Sequence, residues 1–135
     1  MLVVLDCNVI ISAGLTSGAC RAVVREVLAR HRCVLSDAIL REYREVAGRP
    51  RFASLHAYYG RMIGLLEAAS VIVEPGELSL SLPDSDDEIY LAAALRAGAP
   101  LLVTGNTAHF PDGCYGATRV VTPRQFLDRV ADETR

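Results

Sequence analysis

Five short runs of consecutive apolar residues constrain the fold of this chain most strongly. Each run is long enough for a strand but too short for a buried helix, and none contains a polar residue. Strands of this kind are covered on both faces, which is typical of a parallel sheet between layers of helices. The predicted strands span residues 2–5, 33–35, 71–73, 101–103 and 120–121.

Amphipathic stretches between these runs predict the helices. Pro123 is placed to open the last helix as a first-turn proline. The resulting order, β-α-β-α-α-β-α-β-β-α, indicates a three-layer α/β domain. The predicted helices span residues 18–30, 37–47, 53–69, 86–97 and 124–131.

The length and hydropathy of the chain suit one domain with one core. The sequence has 135 residues, of which 51% are hydrophobic, and its mean hydropathy is +0.26. No interdomain linker stands out, so residues 1–135 are predicted to form a single domain. No run approaches the ~18 apolar residues of a membrane span, and the amino terminus has no basic leader. We therefore expect a cytoplasmic protein with no membrane partner.

The residue types that are present and absent exclude several classes of protein. The four cysteines include no C-x-x-C pair and the three histidines are scattered, which argues against a disulfide framework or a structural zinc site. All 14 basic residues are arginine. Chemistry that needs a lysine, such as a P-loop phosphate clamp or a Schiff base, therefore has no candidate residue.

The net charge of −2 hides an uneven distribution. Residues 21–61 carry nine arginines against four acidic residues, whereas residues 62–135 carry five arginines against eleven acidic residues. The basic part could hold a phosphate backbone while the acidic part holds a cation. Solvated helix faces are the alternative explanation.

Two acidic residues fall where the predicted sheet presents the ends of its strands. Ligands of open α/β sheets bind outside the carboxyl ends of the strands, and Asp6 directly follows the first strand. A turn or a helix cap is the alternative role for Asp6. Asp87 is followed by Leu91 and Ala94 at helical spacing. It therefore begins the face that packs on the sheet, and we expect it to point at the strand ends.

Two further acidic residues, Glu42 and Glu88, fall in predicted helices. Glu42 lies on or beside the apolar stripe of its helix. Because burying an unpaired carboxylate is costly, Glu42 must be neutralised, paired with Arg41, Arg44 or another local arginine, or bound to a metal. Ser85 and Glu88 have the spacing of a capping box that opens the next helix.

The fourth predicted strand also ends in polar residues. Thr104 supplies a hydroxyl and Asn106 an amide, and His109 follows in a loop, where an ordinary polar role is the more common explanation.

Asp6, Glu42 and Asp87, with Asn106 nearby, could converge on one rim of the sheet. Carboxylate oxygens without paired histidines or cysteines favour Mg²⁺ or Mn²⁺ over zinc. Such a site can activate a water molecule and hold a phosphate oxygen, which is what hydrolysis of a phosphodiester requires.

Six motifs that follow one another along the chain carry a family resemblance. They are Leu5-Asp6-Cys7-Asn8, Leu40-Arg41-Glu42-Tyr43, Pro83-Asp84-Ser85-Asp86-Asp87, Val103-Thr104-Gly105-Asn106, His109-Phe110-Pro111 and Val121-Thr122-Pro123. In this order, and over nearly the whole chain, the sequence resembles PIN-domain proteins. The resemblance is closest to the branch of toxin components related to VapC-like ribonucleases of toxin–antitoxin systems.

The resemblance implies a fold, an activity and partners. The implied fold is a three-layer α/β/α PIN-like domain with a central parallel sheet. The implied activity is Mg²⁺- or Mn²⁺-dependent cleavage of RNA, with neutralisation by an antitoxin protein and assembly into a homodimer. Asp6, Glu42 and Asp87 match the acidic triad of the family. Their implied roles are catalytic metal ligands, with a water activated by the metal as the nucleophile.

The sequence departs from the family pattern at the position of a fourth ligand. Asn106 stands where other PIN domains carry an acidic residue. His109 directly precedes Phe110, at a position where many VapC-like sequences also have an acidic residue. Asp84 or Asp112 could supply the missing ligand, Asn106 could bind through its amide oxygen or a water molecule, or three carboxylates could suffice.

The remaining predictions concern supporting residues. Asn8 and Thr104 are predicted to support the carboxylates, and Arg41, Arg49 and Arg51 are predicted to contact RNA phosphates.

Three other functions compete with a metal-dependent nuclease. A PIN-like module that binds RNA or a protein and cuts little is the alternative function. A phosphotransfer receiver needs a lysine that the chain lacks. A phosphohydrolase with a nucleophilic aspartate needs a second aspartate where Asn8 stands.

Overall fold

A sheet of six strands forms the centre of the molecule. The structure, a computed structural model, describes residues 1–134. The strands are β1 (Leu2–Leu5), β2 (Arg32–Leu35), β3 (Val71–Ile72), β4 (Leu101–Val103), β5 (Cys114–Tyr115) and β6 (Thr118–Val121). The helices are α1 (Cys7–Leu15), α2 (Ala19–Arg30), α3 (Asp37–Ala47), α4 (His56–Ala68), α5 (Glu88–Ala97) and α6 (Pro123–Glu133).

The strand order is β3-β2-β1-β4-β6-β5, and only β5 runs antiparallel to its neighbour. From β1 the chain builds outward through β2 and β3, and then returns to place β4 on the other side of β1. The direction of winding therefore reverses between β1 and β4, and ligands of open α/β sheets bind at such a switch point. Leu5 and Val103 are paired in register, so these two strands end side by side.

Burial of the central strands explains the layered architecture. Val3, Val4 and Leu5 are completely buried. Because successive side chains of a strand point to opposite faces, helices must cover both faces of the sheet. This confirms the predicted α/β/α class, with a sheet that is mostly parallel.

The first helix, α1, was not predicted. Six of its nine residues are buried, including Cys7, Val9 and Ile10, and only Asn8 and Ser12 are polar. A helix that is apolar around most of its circumference has no polar face, so its sequence lacks the periodicity from which helices are recognised. The short strand β5 was also missed, and its pairing with β6 makes the sheet mixed.

Several predicted boundaries differ from the structure. Residues 50–55 form a 3₁₀ helix that precedes α4, so this helix begins at His56 rather than at residue 53. Ser85–Asp87 forms another 3₁₀ turn, and α5 begins at Glu88. The last helix begins at Pro123, as predicted, and a capping box joins Thr122 to Gln125.

A close approach between α1 and α4 depends on Gly14. A Cβ atom at this position would lie 2.4 Å from Cε1 of Tyr59. Tyr59 is 1% exposed, and its hydroxyl donates a hydrogen bond of 2.7 Å to the carbonyl oxygen of Ile11. The tyrosine ring therefore has little room to move away.

Gly14→Ala is expected to lower the free energy of unfolding by about 1–3 kcal/mol, because an added methyl group overpacks this contact. Gly60→Ala on α4 is the matched control, since nothing lies within 4 Å of its added Cβ atom. The control is expected to be neutral or to gain up to about 1 kcal/mol from higher helix propensity. Urea denaturation of both variants measures the difference, and equal effects would contradict the packing argument.

No single helix among residues 1–134 is long and apolar enough to cross a membrane. Helices α1 and α2 reach that length and composition only together, and a bend of 112° separates them.

Candidate functional site

The candidate site lies where β1 and β4 end beside each other. Asp6 follows β1 directly, and its backbone N–H donates a hydrogen bond of 2.9 Å to the carbonyl oxygen of Val103 at the end of β4. Thr104 is the next residue after β4 and is completely buried. The sheet therefore fixes the backbone on both sides of the switch point.

The side chain of Asp6 is held from the neighbouring strand. It is 5% exposed, and its Oδ2 atom accepts a hydrogen bond of 2.8 Å from the hydroxyl of Thr104. Asp6 occupies the position before α1, but its side chain makes no capping hydrogen bond to that helix. Burial raises the pKa of Asp6, the bond from Thr104 opposes the shift, and the charge of Asp87 adds to it.

Asn8 and Thr104 form a polar network around Asp6. The Asn8 side-chain nitrogen lies 3.4 Å from Asp6 Oδ2 and 3.4 Å from the Thr104 hydroxyl. The Asn8 side-chain oxygen accepts a hydrogen bond of 3.0 Å from the backbone N–H of Gly105. The backbone N–H of Asn106 donates to the Thr104 hydroxyl over 3.0 Å. These contacts restrict the orientation of the Asp6 carboxylate.

Asp87 enters the site from the 3₁₀ turn that precedes α5. The residue is 9% exposed, and its Oδ2 atom is buried against His109. The Nδ1 atom of His109 lies 2.8 Å from this oxygen in a close ionic contact. Burial raises the pKa of Asp87, and His109 partly offsets the shift.

Asp84 caps the turn that carries Asp87. The backbone N–H of Asp86 donates a hydrogen bond of 2.9 Å to the Asp84 carboxylate. The predicted capping residue was Ser85, so that prediction is wrong by one position. An aspartate accepts this bond through one oxygen and keeps the other available.

His109 is the site residue whose importance the sequence did not reveal. It ends a short 3₁₀ turn after β4 and contacts Asp87 through Nδ1, while its Nε2 atom lies 2.9 Å from the side-chain nitrogen of Asn106. Asn106 and His109 are three residues apart around one turn, a spacing that brings side chains together. That spacing, and the position of His109 directly before Phe110 where many VapC-like sequences have an acidic residue, were the available signals. Potential ligand atoms of Asp84, Asp87 and His109 lie within 4.8 Å of one another.

Glu42 approaches the site from α3 but stays outside this group of three. It is half-buried and has no ion pair with Arg41 or Arg44 in the described part of the chain, and Arg44 binds Glu67 instead. Burial raises the pKa of Glu42, and the charges of Glu45, Asp86 and Asp6 add to the shift. The structure therefore does not support direct pairing of Glu42 with Arg41 or Arg44, whereas the nearby charge of Arg49 lowers the pKa of Glu42.

Asp112, the other predicted candidate for the fourth ligand, lies away from the site. Asp112 lines a different cleft, with Arg119, Gln125 and Asp128, and so does not join the group around Asp87. Its backbone N–H donates a hydrogen bond of 3.1 Å to the Tyr115 hydroxyl, and its carboxylate is not among the ligand atoms that lie together around Asp87. Asp112 is therefore no candidate for the fourth ligand.

The three predicted RNA-contacting arginines are all exposed. Arg41 lines a cleft with Glu42 and Asp86 between α3 and the start of α5. Arg49 lies 3.1 Å from Glu45, and the guanidinium of Arg51 lies 4.6 Å from the centre of the Phe52 ring.

The donor set fits a hard divalent cation. Asp6 and Asp87 are both nearly buried, burial raises the pKa of each, and the charge of Asp87 raises the pKa of Asp6 further. A cation between such carboxylate oxygens neutralises their repulsion.

Without a cation, the buried charge of Asp6 is expected to reduce stability. Because its pKa is raised, the ionised carboxylate destabilises the folded state at neutral pH, and the lost stability returns as the pH falls through the raised pKa. Asp6→Asn removes this charge. In EDTA, the free energy of unfolding of the variant is therefore expected to exceed that of the wild type by about 1 kcal/mol.

Thermal unfolding in EDTA and in excess Mn²⁺ checks this expectation. Saturating Mn²⁺ should stabilise the wild type by about 3 kcal/mol at 100 times its dissociation constant and the variant by much less. Lower stability of Asp6→Asn in EDTA would contradict the account.

Fold and site together define a class of protein: a mostly parallel α/β domain with buried carboxylates at its switch point, suited to a divalent cation. The sequence profile of the PIN domain matches residues 2–108. The chain belongs to the PIN-domain family.

Two solved structures share the fold. One is VapBC2 from Rickettsia felis bound to a DNA fragment from their promoter, with a TM-score of 0.60, 12% identity, and coverage of 90% of this chain and 98% of that chain. The other is FitAB bound to an IR36 DNA fragment, with a TM-score of 0.59, 18% identity, and coverage of 90% of this chain and 94% of that chain. Among curated proteins, no sequence matches this chain.

Proposed function

We propose that this chain is an endoribonuclease that depends on Mg²⁺ or Mn²⁺ and acts as the toxin of a toxin–antitoxin pair. The observation that carries the proposal is the pair of buried carboxylates, Asp6 and Asp87, at the switch point of a PIN-family sheet. Two buried like charges without a stabilising cation are costly. Their retention at the rim supports a role in binding a metal.

Asp6, Glu42 and Asp87 are the proposed ligands of the metal, and Asp84 lies close enough to Asp87 to assist. When held by these residues, the cation would supply positive charge for the phosphate and would lower the pKa of a water molecule. Thr104 and Asn8 hold the Asp6 carboxylate in one orientation through the contacts described above. An orientation fixed before the substrate arrives is what precise positioning requires.

The proposed RNA contacts lie beside the carboxylates. Arg41 shares a cleft with Glu42, and the charge of Arg49 lowers the pKa of the same carboxylate. Both residues are exposed, and Arg49 is paired with the exposed Glu45, a contact that a phosphate oxygen of an RNA backbone can replace. Binding through such contacts should weaken steeply as the salt concentration rises.

An antitoxin protein is the proposed partner. The two solved structures that share the fold are of VapBC2 and FitAB, each bound to DNA. Their similarity to this chain shows the fold, and it supports the proposal that a second protein binds and neutralises the enzyme. A homodimer in the cytoplasm remains part of the same proposal.

The test is cleavage of a mixed RNA pool by the purified whole chain with Mg²⁺, with Mn²⁺ and with EDTA. We expect cleavage with either metal and none with EDTA, and inhibition by high salt. RNA binding without cleavage under any condition, in folded protein free of partner, would overturn the nuclease proposal. That result would favour the alternative, a PIN-like module that binds RNA or a protein and cuts little.

A further inference from the structure

The imidazole of His109 is a nitrogen donor placed among carboxylates. We propose that His109 is a ligand of the metal, binding through Nδ1, and that this mixed nitrogen and oxygen site selects Mn²⁺ over Mg²⁺. The inference rests on the proposed function, because it concerns the metal of the same site. It assigns the fourth ligand position to a residue that the sequence had favoured as an ordinary loop residue.

The distances around His109 suit two ligands of one ion. Adjacent donors in an octahedral shell with bonds of about 2.1 Å lie about 3 Å apart, and opposite donors lie about 4.2 Å apart. His109 Nδ1 and Asp87 Oδ2 are 2.8 Å apart, and the ligand atoms of Asp84 lie within 4.8 Å of both. An ion can therefore enter this group after small side-chain adjustments.

Asp87 places a buried oxygen at the same point. The residue is 9% exposed, and its buried Oδ2 atom lies 2.8 Å from His109 Nδ1. Metal ligands bind in their deprotonated form, so a cation that replaces the proton between these two groups would be held by both.

Asn106 can hold the imidazole in the orientation that metal binding needs. Histidine ligands usually donate their second ring N–H to a carbonyl or carboxylate oxygen. Nε2 of His109 lies 2.9 Å from the Asn106 amide, and rotation of that amide by 180° presents its oxygen in the same place. Asn106 is itself fixed by its backbone N–H bond to Thr104, which also binds Asp6.

The donor type determines the preferred metal. Mg²⁺ favours oxygen ligands and retains several water molecules. First-row transition ions accept an imidazole nitrogen more readily than Mg²⁺ does, and affinity at a given site rises from Mn²⁺ onward in that series. Replacing a carboxylate by a neutral imidazole therefore weakens Mg²⁺ more than Mn²⁺.

Pulsed electron paramagnetic resonance of bound Mn²⁺ tests the inference without measuring activity. We expect modulation from a directly bound ¹⁴N nucleus in the wild-type chain. His109→Asp should bind Mn²⁺ without this modulation, and its preference for Mn²⁺ over Mg²⁺ in competition titrations should fall about tenfold. His56→Gln is the control and should keep both properties, since the His56 ring contacts the backbone of Arg49 and not the site.

The outcomes separate this inference from the proposed function. Mn²⁺ bound to the wild type without ¹⁴N modulation, or modulation that survives in His109→Asp, would overturn the assignment of His109 while leaving the nuclease proposal intact. Modulation that depends on His109 in a protein that cuts no RNA would support the ligand and overturn the nuclease. Absence of Mn²⁺ binding in the folded wild type would overturn both.

Discussion

Asp87→Asn is expected to reduce the metal-dependent rate of RNA cleavage on the order of 10²–10³-fold. Asp87 is nearly buried, and it lies beside both Asp84 and His109. Replacing this carboxylate by an amide removes a negative charge where the cation must bind. Metal stabilisation of transition-state charge amounts to several kcal/mol, and each ~1.4 kcal/mol changes a rate tenfold.

Single-turnover cleavage rates over a range of Mn²⁺ concentrations measure this effect. Asp112→Asn is the matched control, because it makes the same chemical change in a different cleft. We expect the control to cleave at nearly the wild-type rate. Equal losses in the two variants, or full activity of Asp87→Asn, would contradict the assignment of Asp87.

Tyr43→Ala is expected to lower the free energy of unfolding by about 3–5 kcal/mol, as is typical for truncation of a large buried aromatic residue. Tyr43 is completely buried on α3 next to Glu42, and its ring stacks on Tyr90. Its hydroxyl donates a hydrogen bond to the carbonyl oxygen of Leu5, the residue before Asp6. This side chain therefore joins the helix of one site residue to the strand of another.

Tyr43→Phe separates the hydrogen bond from the packing. It keeps the ring and removes the donor to Leu5, so we expect a smaller loss of about 1–3 kcal/mol. Urea denaturation of both variants gives the two values. A loss below about 1 kcal/mol in Tyr43→Ala would show that this contact does not hold α3 against β1.

Much of the fold could be predicted because local sequence determines it. The apolar runs at residues 2–5 and 101–103 identify strands that are covered on both faces. Parallel strands present their carboxyl ends at one edge, so the positions of Asp6 and Thr104 beside each other followed from the same pattern. The helix α1 could not be recognised in this way, because it is apolar on nearly every side.

The details of the site depend on contacts between distant parts of the chain. His109 meets Asp87 only after the loop that follows β4 folds against the start of α5, and no local pattern specifies that contact. Asp112 seemed equally well placed in the sequence, but a turn around Gly113, whose φ is 71°, lies between it and the strand β5. The cap of the turn before α5 also fell on Asp84 instead of Ser85.

Anomalous diffraction at the manganese edge, from crystals of the whole chain grown with Mn²⁺ and a short RNA, tests the central claim most directly. The claim is that Asp6, Glu42 and Asp87 hold the cation that serves RNA cleavage. We predict an anomalous peak in contact with the carboxylates of Asp6 and Asp87, with an RNA phosphate oxygen beside it. RNA bound at the rim with no peak between these carboxylates, or a peak only in the cleft of Asp112, would contradict the account.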